Sequence, residues 1–175
     1  MPNLVGDVSS AARILPDLNG EKLFIRKGKG ACLEDGPTGS RAHGAVLLGH
    51  ANDRVNLAVS EALGDSAAPS WAHVREHGAA TALASHTGEL SKVIFTNSGS
   101  EAVHLACRAA RAYTGRGKIA KMAGGFDGWF DDVSYGNVSS TEAGFEDGQR
   151  PSTERTTLLR YNDFADVERL FAEDP

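Results

Sequence analysis

Lys92-Val93-Ile94-Phe95-Thr96-Asn97-Ser98-Gly99-Ser100-Glu101-Ala102 is the stretch from which the fold is read. A short apolar run breaks at Asn97, turns through a glycine flanked by two serines, and enters a segment with helical periodicity. A strand that feeds a helix through small residues presents free backbone N–H groups and the positive end of the helix dipole, a natural seat for phosphate. Gly99 lets an anion approach the main chain, and the Ser98 and Ser100 hydroxyls can donate to its oxygens. An ordinary serine N-cap after a strand is the other reading of the same residues.

From Ser100 to Tyr113 the apolar positions Val103, Ala106, Cys107, Ala110 and Tyr113 form one helical stripe, which predicts a helix packed closely on a sheet. Glu101, His104, Arg108 and Arg111 lie off that stripe and are expected to face water or a partner. Gly115 or Gly117 suits the left-handed position after the helix end. Lys118 to Met122 reads as a second strand, followed by Gly124-Gly125-Phe126-Asp127-Gly128-Trp129. The pattern is a βαβ unit, so the two strands are expected to run parallel with a right-handed crossover. Ligands of open α/β sheets gather beyond the carboxyl ends of the strands, where both glycine-rich turns fall. An aromatic ring from the second turn can then cover a ring anchored by its phosphate at the first.

Asn97 to Ala102, Arg108-Ala109-Ala110-Arg111-Ala112, Thr114-Gly115-Arg116 and Gly125-Phe126-Asp127-Gly128-Trp129 together resemble the class III pyridoxal-phosphate-dependent aminotransferases, a family that includes an aminomutase. Leu48-Gly49-His50-Ala51 and Tyr161-Asn162-Asp163 extend the likeness over about residues 45 to 175, with a fainter match from Gly28 to Gly39. The resemblance implies an α/β fold, the N-terminal part of a transferase-like large domain with a mostly parallel sheet and helices on both faces. Residues 1–50 would be an arm and small-domain segment, and residues 51–175 part of the cofactor-binding domain. It implies pyridoxal 5'-phosphate as cofactor, bound by Ser98, Gly99, Ser100, Phe126 and Asp127, with Phe126 stacked on the pyridine ring. Stacking of a flat aromatic on a flat cationic ring contributes roughly 1–2 kcal/mol once desolvated. Asp127 stands where the family usually has His, and Ala42-His43 where an aromatic and an acidic residue are usual.

The family's reactive lysine, which forms a Schiff base with the cofactor, and the aspartate that pairs with the pyridine nitrogen have no counterpart here. None of Lys22, Lys27, Lys29, Lys92, Lys118 and Lys121 matches the context of that lysine, and Lys118 and Lys121 read as solvated strand ends. No catalytic residue is therefore assigned, and the chain alone is expected not to transaminate. Asp163 and Asp166 suit the N-cap and N3 positions of a helix with Phe164, Val167, Leu170 and Phe171 on one face, and the chain is read as cut shortly after it. Family members act on small amines or amino acids and carbonyl compounds, as homodimers. A non-catalytic phosphate-binding or interaction module with the same partial fold is the alternative.

Eighteen basic against 23 acidic residues, a net charge of −5 without a basic cluster, argue against nucleic acid and anionic membranes as partners. No apolar stretch approaches a membrane span and the N-terminus lacks a signal-peptide core, so a cytoplasmic protein is expected, with Cys32 and Cys107 as reduced core thiols. Gly28-Lys29-Gly30 lacks the third glycine of a dinucleotide fingerprint, and Gly117-Lys118 lacks the earlier glycine and the hydroxyl of a P-loop. Ser98-Gly99-Ser100 is not a G-x-S-x-G elbow. His73 and His77 lack the glutamate and further ligands of a zinc site, so no metal is assigned.

The remaining expectations are coarser. They are some helix near Ser10 to Leu15 in an N-terminal arm; strands at Leu23 to Ile25 and Ala31 to Leu33; and a turn from Gly36 to Arg41. A helix capped by Asn52 or Asp53 ends at Gly64, a second runs from about Trp71 to Ser85, and residues 139 to 155 form a surface loop.

Overall fold

Three strands, three helices and then alternating strands and helices follow one another in the computed structural model, which describes residues 4, 24–35, 38–40, 46–67, 69–137 and 154–173. Their order is β1 (Lys27–Lys29), β2 (Cys32–Asp35), β3 (Thr38–Ser40), α1 (Asp53–Asp65), α2 (Val74–Ala84), α3 (Gly99–Thr114), β4 (Ile119–Met122), α4 (Asp131–Ser134), β5 (Thr156–Leu159) and α5 (Phe164–Glu173). The chain divides into two units, residues 1–74 and 75–175. The helix expected near Ser10, the Gly36-Pro37 and Ala42-His43 positions, and most of the 139–155 loop lie outside the described residues.

In the first unit β1, β2 and β3 form an antiparallel meander, with Lys27 opposite Glu34 and Leu33 opposite Ser40. Among the described residues the ladder begins at Lys27, with Phe24 and Ile25 outside it and Leu23 not described, and Thr38–Ser40 pairs as a strand where a turn was expected. Both shifts have one cause: backbone pairing across the sheet overrides a weak apolar signal. Gly30 closes the β1–β2 turn at φ +57° and exchanges backbone hydrogen bonds of 2.9 and 2.8 Å with His50. Gly49 sits so close that a Cβ on it would lie 2.9 Å from the Gly30 Cα, so its glycine is required. The Asn52 side chain caps α1 by accepting from Arg54 N and Val55 N. The helix runs past Gly64 and ends at Ser66, whose N–H returns to Ala62 O in an extended conformation that needs no glycine. Cys32 is exposed and not a core residue.

In the second unit the core forms around the parallel β4–β5 pair, which aligns Ile119 with Thr156 and Met122 with Leu159. Ala123, Val133, Leu158 and Leu159 are its buried apolar residues. The parallel partner of β4 among the described residues is thus β5; residues 91–96, expected to be that partner, form no ladder among them. A βαβ crossover fixes the relative direction of two strands, not their adjacency.

Helix α3 is bounded as its sequence predicts, by Ser98 at the N-cap and by Gly115 at φ +70°, whose N–H returns to Arg111 O. Its stripe is not buried: no α3 residue falls in the core, and Tyr113 is 93% exposed. Among the described residues no element covers this face. Helix α2 starts at Val74, leaving Trp71 outside it and exposed. Helix α5 forms as expected, with Asp163 Oδ1 accepting from Asp166 N at 3.1 Å. Val167 and Leu170 are half-buried, while Phe164 and Phe171 stay exposed.

Candidate functional site

Helix α3 begins where Ser98, in an extended conformation, turns the chain into Gly99. The Ser98 hydroxyl is occupied at both ends: it accepts from Glu101 N at 3.3 Å and donates to Glu101 Oε2 at 3.1 Å. Ser98 thus acts here as the N-cap, its single hydroxyl proton committed to Glu101, with Ser and Glu at the spacing of a capping box but the glutamate meeting the hydroxyl and not the Ser98 N–H. Glu101 also places its carboxylate in the positive first turn of the helix. The N–H groups of Gly99 and Ser100 are among the first four of the helix and have no intrahelical carbonyl to reach. Nothing lies within 4 Å of where a Cβ on Gly99 would be, so the main chain there is open to a ligand.

The second glycine-rich turn folds back onto the first. Gly128 adopts φ +131°, and a Cβ on it would lie 3.1 Å from Ser100 Cα and 3.1 Å from Ser100 Oγ. A residue with a side chain would drive the two segments apart, so this glycine sets the distance between helix terminus and loop. Two contacts fasten the same loop along α3. His104 stacks on Phe130 with ring centroids 4.5 Å apart, and Arg111 pairs with Asp132 at 2.7 Å while its Nε donates to Gly117 O. Phe126 is 60% exposed and meets Trp129 edge to face at 5.3 Å, leaving most of the ring accessible.

Lys121 overturns the expectation of a solvated strand end. It is buried, and its Nζ donates to Gly125 O at 2.9 Å, Val133 O at 2.7 Å and Asn137 Oδ1 at 2.6 Å. Asp127 Oδ2 lies 3.2 Å from the same nitrogen. The strand's alternation carries the missed signal: Lys121 shares a face with Ile119 and Ala123, which places it inward. Asn137 also donates to Gly128 O at 2.9 Å. Beneath the loop, burial pushes the Cys107 thiol above its ordinary pKa; Arg111 opposes that rise, and Asp132 and Asp127 add to it. Beside the helix terminus, Phe95, Thr96, Asn97, Glu101, His104, Leu105 and Arg108 line an open concavity of about 310 Å³.

The structure thus brings Ser98, Gly99 and Ser100 into one helix terminus, seats Gly128 against it, and carries Phe126 and Asp127 on the same loop as Gly128. Among the described residues no cluster of three potential metal ligands occurs, and no helix is long and apolar enough to cross a membrane.

An α/β chain with an open helix terminus met by a glycine turn has the form of an anion-binding site of the α/β class. The model of the aminotransferase class-III family matches residues 19–173, and the chain belongs to that family. It is 33% identical over 183 residues to a glutamate-1-semialdehyde 2,1-aminomutase of Salinibacter ruber, covering 96% of this chain and 40% of that protein. The protein of that name from Persephonella marina is also 33% identical, with 96% and 41% covered. Among solved structures, a transaminase with PLP bound superposes with a TM-score of 0.81 at 27% identity, covering 98% of this chain and 42% of that one. An omega-transaminase from Sphaerobacter thermophilus gives 0.72 at 28% identity, covering 93% and 42%. The chain spans about 40% of the length of the curated relatives it matches. The family is pyridoxal-phosphate-dependent, and the fold is a partial α/β fold of that type.

Proposed function

We propose that this chain supplies the phosphate cradle and the ring-stacking aromatic of a pyridoxal-phosphate-dependent aminotransferase or aminomutase, a homodimeric cytoplasmic enzyme acting on an amine or amino acid and a carbonyl compound. The observation that carries the reading is the approach of Gly128 to Ser100, which joins an open helix terminus to the loop bearing Phe126. The donor set suits a phosphate: two backbone N–H groups at a helix terminus, the Ser100 hydroxyl, and a glycine whose side-chain volume is empty. The same Gly99 space that a Cβ would occupy is the cradle.

In this reading Gly99 and Ser100 hold the phosphate, with Ser98 fixing the turn from behind through its cap. Phe126 lies along one face of the ring and keeps water from it, and Asp127, tied to Lys121, holds the loop at its root. When bound, the cofactor's pyridine ring supplies an electron sink for the carbon bearing the amino group. Three of the lysines among the described residues are engaged elsewhere. Lys27 pairs with Glu34, Lys29 with Asp53, and Lys121 is committed inside the core. By itself the chain is expected to bind the cofactor weakly and not to transaminate.

Titration of the full chain with pyridoxal 5'-phosphate, followed by absorbance, tests this. Weak saturable binding is expected, competed by inorganic phosphate and without the absorbance band of a lysine-bound cofactor. A lysine-bound band would mean that another lysine attaches the cofactor; no saturable binding at all would remove the cradle.

A further inference from the structure

We infer that Lys121 is a positioning residue for the cofactor site, an internal strut that sets the loop carrying Phe126; this rests on the function proposed above. An ammonium has three protons, and all three reach acceptors spread along that loop: Gly125 O, Val133 O and Asn137 Oδ1. Those residues bracket Phe126 and span the loop from its first turn to its return. Asn137 passes the constraint on by donating to Gly128 O, the residue seated against Ser100. A second closure, Gly124 N to Gly136 O at 2.8 Å, ties the same two ends. One buried nitrogen therefore connects the strand, the aromatic position and the glycine that contacts the helix terminus.

The charge is balanced on the spot. The Lys121 side chain is only 4% exposed, and a buried cation without a counter-ion is strongly disfavoured. The Asp127 carboxylate, 3.2 Å away and 41% exposed, supplies that counter-ion from the residue next to Phe126. Asp127 is thus held from within, its carboxylate tied to the strut on the stem side of the ring. Replacing the lysine with an apolar residue leaves two carbonyls, an amide oxygen and a carboxylate without their shared donor.

A merely structural lysine would alter stability and leave the two halves of the site affected alike. A strut for the aromatic loop separates them, because the Gly99–Ser100 N–H groups belong to α3 and not to the loop. The test uses the full chain carrying Trp71→Phe, so that Trp129, in contact with Phe126, is the remaining tryptophan. Lys121→Met is expected to raise the acrylamide quenching of Trp129 and to weaken pyridoxal 5'-phosphate binding about tenfold, the size of a lost ring contact. Inorganic phosphate, as the separate probe of the cradle, is expected to bind within about twofold of the parent, well under the tenfold step of 1.4 kcal/mol. Should Lys121→Met not fold, Asn137→Ala removes one arm of the strut, with the same split expected at about threefold. Equal loss of both ligands, or none, in the folded variant overturns the inference. Absence of saturable pyridoxal phosphate binding in the parent overturns instead the functional reading beneath it.

Discussion

Gly128 lies so near Ser100 that only glycine fits: a Cβ on it would come within 3.1 Å of the Ser100 Cα and hydroxyl. The contact joins residues 28 positions apart in sequence and brings two glycine-rich turns into one site. It also explains why the loop needs φ +131° at that position, a conformation that side-chain-bearing residues rarely adopt.

Gly128→Ala is therefore expected to destabilise the fold and open the site together. Backbone strain of roughly 1–3 kcal/mol, before any clash with Ser100, corresponds to a fall in melting temperature of roughly 3–10 °C. Calorimetry reads the first effect and pyridoxal 5'-phosphate binding, which needs the Phe126 loop, the second. An unchanged melting temperature would mean that the loop is not seated on Ser100.

Ser98→Ala isolates the cap. The hydroxyl loses its bonds to Glu101 N and Glu101 Oε2, and a loss of about 1 kcal/mol is expected in urea unfolding. Glu101→Gln keeps an oxygen in reach of the hydroxyl but removes the charge favoured by the helix dipole, so its cost should be smaller, about 0.5 kcal/mol.

The features legible in the sequence are those fixed within a few residues of the chain. Helix α3 shows both its ends, Ser98 with Glu101 three residues on and Gly115 after the last turn, because capping is a local exchange of hydrogen bonds. Strand β4 and the Asp163 cap of α5 are legible for the same reason. Strand β5 is not: Thr156-Thr157-Leu158-Leu159 is too short to stand out beside its polar surroundings, and only the parallel register with β4 makes it a strand. Lys121 escapes because its charge outweighs its place in the alternation, and its acceptors lie up to 16 residues away. In the site, Ser98, Gly99 and Ser100 are legible as a helix terminus, whereas the Gly128 approach needs the tertiary fold.

Asp166 makes stability depend on acid. The Arg160 N–H bond holds its carboxyl below the ordinary carboxylate value, and the Arg169 guanidinium adds to the depression. A depressed folded-state value favours the ionised form, so the contribution is complete above the unfolded value of about 3.9 and is lost as pH falls through the lower folded value. Urea midpoints taken from pH 7 to pH 3 should fall more steeply below about pH 4 in the parent than in Asp166→Asn. Parallel curves would remove Asp166 from the acid response.

The two thiols should differ. Burial raises the Cys107 pKa and keeps its sulfur protonated at neutral pH, while Cys32 is exposed. Iodoacetamide at pH 8 is expected to alkylate Cys32 first, with Cys107 slower by about tenfold, as resolved by peptide mass spectrometry. Lys121→Met, if it loosens the loop over α3, should narrow that gap.

Gly99→Ala separates binding from folding most cleanly. Gly99 is the first residue of α3, its φ is not in the left-handed region, and the space a Cβ would fill meets no protein atom. Alanine there should not destabilise the fold; the lower entropy of the unfolded chain favours a gain of about 0.5 kcal/mol. If that volume is where the phosphate oxygens sit, the methyl group displaces them from the Gly99 and Ser100 N–H groups. Affinity for inorganic phosphate and for pyridoxal 5'-phosphate should then fall together by about tenfold, a cost of about 1.4 kcal/mol. A variant that is more stable yet binds less locates the anion at this helix terminus, because no loss of structure can account for the loss of ligand. A variant that binds both ligands like the parent would place the phosphate elsewhere and leave Ser98-Gly99-Ser100 as a cap alone.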